Sequence, residues 1–168
     1  MSEYDFFLVI ATFIASFAAI AGIALTNRAQ NNQLRLHIGL EILKILGDDT
    51  SRKSRTLVYE AYRIYKQNGQ LDIFTAEQPD YNNAVATVRS DFQTIGSILY
   101  KNKGANRDFL NTWLQPTITC YKALKDSIYD VETKLNFRDY MFYFKWLYQE
   151  AESEWSIAYR GIPSPEPF

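Results

Sequence analysis

From Phe6 to Thr26 the chain carries no charged residue, and no other feature restricts its fold as strongly. The run is roughly 21 residues, about 31 Å of helix at 1.5 Å per residue, against a hydrocarbon core of about 30 Å. It is apolar on every face, whereas a helix on a globular surface shows one apolar stripe. The spacing predicts a transmembrane helix over residues 6–26. Ala19-Ile20-Ala21 resembles the small-residue pattern before an export cleavage site. The segment ahead of the run holds Glu3 and Asp5 where an export signal carries Lys or Arg, and the apolar run continues through Ile23 and Leu25. Both points favour an anchor over a cleaved signal.

The flanks orient the anchor. Arg28 and Arg35 follow the run, with Lys44 further on, and basic residues stay on the cytoplasmic side. The expectation is a cell-membrane protein with a short extracytoplasmic N-terminus, residues 1–5, and a cytoplasmic domain after Thr26. Of the charged residues 18 are basic and 19 acidic; setting Glu3 and Asp5 aside leaves 17 acids beyond the span. A near-neutral domain lacks the basic excess of a general nucleic-acid binder, so no nucleic-acid partner is expected. One cysteine, Cys120, makes no internal disulfide and suits a reducing compartment. Twelve Tyr and eleven Phe argue against disorder.

Beyond the span the period is helical. Leu34, Ile38, Ile42, Ile45 and Leu46 extend the helix as a stalk, residues 27–46, ended by Gly47. Asp48 to Ser51 offer N-cap residues for a second helix, about 51–68, with Leu57, Val58, Ala61, Tyr62 and Tyr65 on one face. A loop, 69–79, leads to a third helix capped by Asp80, about 81–102, with Val85, Val88, Phe92, Ile95 and Leu99 inward. Gly104 closes it, and Asn106 caps a fourth helix, about 107–130. Pro116 lies inside that pattern and should kink or split it near Leu114. A fifth helix, about 137–159, starts at Asn136. The tail, residues 161–168, alternates prolines and is expected to be extended or disordered. The predicted fold class is all-α: a transmembrane helix continuing into a stalk, then a cytoplasmic bundle of about four helices over residues 47–160.

Chemistry-bearing motifs are sparse. No G-x-S-x-G, Walker A, G-x-G-x-x-G, C-x-x-C or H-E-x-x-H occurs. His37 and Glu41 share a helix face, but one histidine does not make a metal site, so no catalytic residue, metal or cofactor is expected. Glu150 and Glu154, with Glu152 between them, fit a solvated face near a helix end better than an acid–base pair. "SRKSR" places Arg52, Lys53 and Arg55 in the first turns of the second helix, where cations oppose the helix dipole. An anion there, such as a phosphate or lipid headgroup, would offset that cost; ordinary solvated charge beside Asp48 and Asp49 is the plainer reading. "FRDYMFYFKWLYQ" carries a stripe through Phe137, Met141, Phe144 and Tyr148. Tyr140, Phe142, Tyr143 and Trp146 widen it, so this helix is either central or presents an aromatic interface to a partner. Within the span, Ala15, Ala18, Ala19 and Gly22 recur at three- and four-residue steps, a small-residue face suited to helix packing in lipid. Its occupant would be a second copy or another membrane protein.

The series "LRLHIGLEILKIL", "SRTLVYEAYRIY" and "VRSDFQTIGSILYKNKGANRDFLNTWLQPTITCYKAL", followed by the aromatic helix, resembles a prokaryotic family of small membrane-anchored helical proteins, domain of unknown function 4760. The resemblance covers most of the chain, and its best element is "DFQTIGSILYKNKGANRDFL", Asp91 to Leu110. It implies a single-span helical protein and no assigned activity. The leading functional expectation is an adaptor or accessory subunit of a membrane complex, binding another protein through its cytoplasmic helices. The rival is an inner-leaflet enzyme or toxin-like effector acting on a phosphate-containing or lipid substrate through the basic motif.

Overall fold

The computed structural model describes residues 3–68, 79–137 and 139–167; within its helices the side chains of residues 3–14, 68 and 103 are left undescribed. It is all-α, with five helices and no strand among the described residues: α1 Glu3–Gly47, α2 Asp49–Asn68, α3 Pro79–Lys101, α4 Lys103–Leu135 and α5 Phe142–Ala158. The chain divides into two compact units, Met1–Ile38 and Gly39–Phe168. Residues 69–78 of the expected loop lie outside the described residues.

In the first unit, every side chain from Ala15 to His37 is exposed. Phe17, Ile20, Ile23 and Leu25 are each more than 60% exposed. The Thr26 hydroxyl donates to the Gly22 carbonyl at 2.9 Å, closing its polarity within the helix. Among the described residues no helix is long and apolar enough to cross a membrane. The expected span, 6–26, lies partly outside those residues, since the side chains of its first nine positions are not described.

The second unit is a helical bundle. Helix α3 packs on α2, α4 and α5, and α4 packs on α2 and α5. Much of the expected stripes is core: Val85, Val88, Phe92, Ile95 and Leu99 of α3 are fully buried, with Val58 and Ala61 of α2 and Phe144 of α5, whereas Phe137 of the expected aromatic stripe is exposed; Ile118 and Leu124 of α4 and Leu147 of α5 complete the core. The Asp48 side chain caps α2 by accepting the Thr50 N–H at 2.9 Å. Hydrogen bonding from the Thr50 hydroxyl, and then from its N–H, holds the Asp48 carboxyl below its ordinary pKa.

Three expected boundaries are corrected. The α3–α4 connection is the single residue Asn102, whose amide donates to the Ile98 carbonyl at 2.8 Å. Gly104 therefore lies inside α4 and does not close α3. Asn106, expected as a cap, is buried and donates to Glu150 of α5 at 3.1 Å. Asn136 does not start the fifth helix. It adopts the left-handed conformation that ends α4, at φ 48° and ψ 37°. The turn into α5 is tied down by Glu132, whose Oε1 accepts the Tyr140 N–H at 3.1 Å and the Lys145 ammonium at 2.5 Å.

The expected distortion at Pro116 is present, with Trp113 leaving helical geometry at φ −114° and ψ 15°. A proline ring crowds the preceding turn and supplies no N–H. The buried Thr117 hydroxyl donates to the Trp113 carbonyl at 2.7 Å, so the strained turn keeps a partner.

The tail is ordered against α4 and α5. Gly161 makes the turn at φ 81°, a conformation that costs glycine little. Lys122 Nζ then donates to Ser164 Oγ at 2.8 Å, to the Ser164 carbonyl at 3.2 Å and to Glu166 at 2.9 Å. Trp155 Nε1 holds the Ile162 carbonyl at 3.2 Å, and Pro167 is buried. The tail was expected to be extended or disordered; Lys122 holds it docked on the bundle.

Helices α3 and α5 approach each other closely at Gly96. A Cβ on Gly96 would fall 2.7 Å from the Tyr143 carbonyl carbon and 3.0 Å from its Cβ, closer still to the carbonyl oxygen. Gly96→Ala should therefore lower stability by about 1–3 kcal/mol, as overpacking does. Gly104 has nothing within 4 Å of such a Cβ, so Gly104→Ala should be neutral or add about 0.5 kcal/mol, from helix propensity alone. Thermal denaturation of the detergent-purified chain, followed by circular dichroism, checks both signs.

Candidate functional site

Because Gly96 admits α5 so closely, the start of that helix lies along one face of α3. The face holds Arg89, Phe92, Gln93, Gly96 and Tyr100; Arg89, Gln93, Gly96 and Tyr100 follow at steps of four, three and four residues, and Phe92 lies beside Gln93, three from Arg89 and four from Gly96. At its centre Phe92 and Phe144 stack with ring centroids 4.9 Å apart. Tyr121 of α4 meets Phe144 edge-on at 5.2 Å and stacks on Tyr148 at 4.3 Å.

The Tyr100 end of this contact is aromatic. Its ring makes edge contacts with Phe142 at 5.6 Å, Tyr143 at 5.5 Å and Trp146 at 5.2 Å. Tyr100 and Phe142 remain 39% and 40% exposed, while Tyr143 and Trp146 are half-buried. Three of the four expected interface residues thus join one surface cluster, with Tyr100 added by the fold. No period in the sequence marks Tyr100, because its partners lie more than 40 positions away. Tyr140, the fourth, belongs to the other end.

That other end is a cleft of about 350 Å³ in which Ser90, Thr94, Tyr140 and Met141 surround Arg89 and Gln93. Arg89 is only 8% exposed. Burial pulls its pKa down, and the adjacent Tyr140 side chain works the other way. Gln93 Oε1 accepts the Phe144 N–H at 3.0 Å, which satisfies one free amide at the start of α5.

The basic motif is not assembled as expected. Arg55 turns inward: its Nη2 donates to the Leu46 carbonyl at 2.8 Å, its Nη1 to Ser51 Oγ at 2.8 Å, and its guanidinium lies 5.6 Å from the Trp113 ring centroid. Ser51 in turn donates to Asp91 at 2.6 Å. Arg55 thus satisfies a carbonyl at the end of α1, where a cation also suits the helix dipole. Arg52 and Lys53 stay exposed, and Arg52 reaches Asp49 only at 3.9 Å. Arg52 and Lys53 are thus two solvated side chains and Arg55 a structural one, and the fold does not bring the three cations together.

The solvated face expected for the C-terminal acids is also corrected. Glu150 accepts from buried Asn106. Glu152 accepts from Tyr148 and from Ser164, each at 2.8 Å, and lies 3.9 Å from Lys122. Burial and the Glu152 carboxylate raise the Tyr148 pKa.

Cys120 is fully buried, with the Tyr59 hydroxyl 3.1 Å from its sulfur and 2.8 Å from Thr119 Oγ1. Burial pushes the thiol up to about 12, far from the thiolate that nucleophilic chemistry needs. Ala15, Ala18, Ala19 and Gly22 lie on the first part of α1 and are exposed, with open space beside Gly22. His37 and Glu41 are exposed, and among the described residues no three His, Cys, Asp or Glu groups are placed to hold a metal ion. Comparison with protein families, with curated proteins and with solved structures found no match to this chain.

Two outcomes follow for the buried groups. Cys120 in the native chain should resist a thiol reagent at pH 8 and react fully once unfolded, as measured by absorbance. Burial also raises the Asp91 pKa, so the folded state holds that proton more tightly than the unfolded chain. Stability contributed by this group rises as pH falls through the folded value. The parent should therefore gain melting temperature relative to Asp91→Asn as pH is lowered from 7 toward the ordinary carboxylate value.

Proposed function

We propose that the chain is a single-pass membrane protein of the domain of unknown function 4760 type, anchored by residues 6–26 with the N-terminus outside. In this reading the helical domain is cytoplasmic and works as an adaptor or accessory subunit that binds another protein. The observation that carries the adaptor reading is the cluster of Tyr100, Phe142, Tyr143 and Trp146, because large aromatic rings left at a surface are favoured as interface anchors. The anchor reading is supported by a 45-residue helix that is uncharged from Phe6 to Thr26 and whose exposed side chains include Phe17, Ile20, Ile23 and Leu25. Such a surface is stable in lipid and costly in water. Ala15, Ala18, Ala19 and Gly22 would face another span, from a second copy or a partner subunit. The enzymatic rival needed the basic motif as an anion site, and the inward turn of Arg55 weighs against it.

Two experiments test the reading. Ser164 is half-buried in the docked tail, so a cysteine at exposed Arg160 is the better topology reporter. Arg160→Cys should be labelled by a membrane-impermeant maleimide only after permeabilisation, and labelling in intact cells would reverse the orientation. Trp146→Glu with Phe142→Glu should remove at least one specific protein that co-purifies from detergent-solubilised native membranes, with the helical signal retained. An unchanged set of partners would remove the aromatic cluster from the interface.

A further inference from the structure

Arg89 is a cation in an unusual position. It is more than nine-tenths buried, its Nε–H is shut off from water without an acceptor, and among the described residues no ion pair joins it to an acid. A buried guanidinium is costly unless it is paired. The acids near this part of α3 are committed elsewhere: Asp91 accepts from Ser51, and Glu132 accepts from the Tyr140 N–H and Lys145. Neither lines the cleft.

What does line it is rich in donors. Ser90 and Thr94 present hydroxyls, Tyr140 a phenol, and Gln93 has spent its carbonyl on the Phe144 N–H, leaving its amide N–H groups for other acceptors. One fixed cation, several neutral donors and no carboxylate together describe a receptor for negative charge. The volume, about 350 Å³, is at the small end for ligand pockets. We propose that this cleft between α3 and the start of α5 binds a small anion bearing a carboxylate or phosphate group, drawn in by the charge of Arg89. The Nε–H is closed even to water and hence to an anion oxygen, so the Nη–H groups would be the donors to the bound group. Burial already lowers the arginine pKa, and a bound anion would oppose that shift. The site stands independently of the membrane and adaptor readings, since every residue in it belongs to the helical bundle.

The test uses the full chain in a maltoside detergent and a phosphate-free buffer at constant ionic strength. Inorganic phosphate and succinate are titrated separately by calorimetry. At least one should bind saturably at a single site, and the probe that binds identifies the chemistry as phosphate or carboxylate. Thr94 is exposed, so Thr94→Glu should fold and place a carboxylate beside Arg89. It should weaken probe binding at least tenfold and raise the melting temperature; Arg89→Met should weaken binding as strongly. The Arg89 Nε–H resonance of the unaltered chain, assigned by its loss in Arg89→Lys, should move with saturation, a readout that does not depend on how Arg89→Met folds. Absence of saturable binding for both probes would overturn the proposal. So would equal affinity in parent and Thr94→Glu, or a resonance that stays in place while heat is released.

Discussion

The arrangement of the bundle turns on one close approach, where Gly96 of α3 lets the backbone of Tyr143 come nearer than any side chain would allow. That contact sets the register between α3 and α5. From it follow the Phe92–Phe144 stack at the centre, the Gln93 bond to the Phe144 N–H, and the positions of the two surface features at either end. Interiors are packed like crystals, so a shift of α5 by one Cβ would be felt at the aromatic cluster and at the Arg89 cleft together. Both candidate functional features are consequences of a single helix crossing.

Polar side chains of the bundle are spent mainly on helix ends and helix irregularities. Arg55 serves the Leu46 carbonyl, Asp48 the Thr50 N–H, Glu132 the Tyr140 N–H and Thr117 the carbonyl of Trp113. Helix termini leave N–H and C=O groups that must find partners when buried, and a bundle joined by connections as short as Asn102 buries many of them. This demand explains why residues that read as solvated charge or as a pair of acids turn inward. It also isolates Arg89, which serves no terminus and has no acid.

The two ends of the α3–α5 contact suit different partners. The Tyr100 end is aromatic and open, fitted to another protein's surface in the proposed adaptor role. The Arg89 end is narrow and lined by hydrogen-bond donors, fitted to a small anion.

Much of the fold was legible from the residues alone. The uncharged run of residues 6–26, the helical period of each later segment, the stop at Gly47 and the distortion near Pro116 are local properties, set by side-chain spacing and backbone chemistry within a few positions. The stripe Val85, Val88, Phe92, Ile95 and Leu99 was likewise readable as core, because a 3.6-residue period places apolar side chains on one face wherever the helix docks. Tertiary structure alone decided which polar groups were claimed. Asn106 reads as a cap until Glu150 reaches it across the bundle, and the proline tail reads as free until Lys122 takes hold of Ser164 and Glu166. Arg89 reads as one more cation on a helix among many. Its burial without an acid depends on α5, some 50 residues later, being drawn in by a glycine, and no pattern local to α3 carries that information.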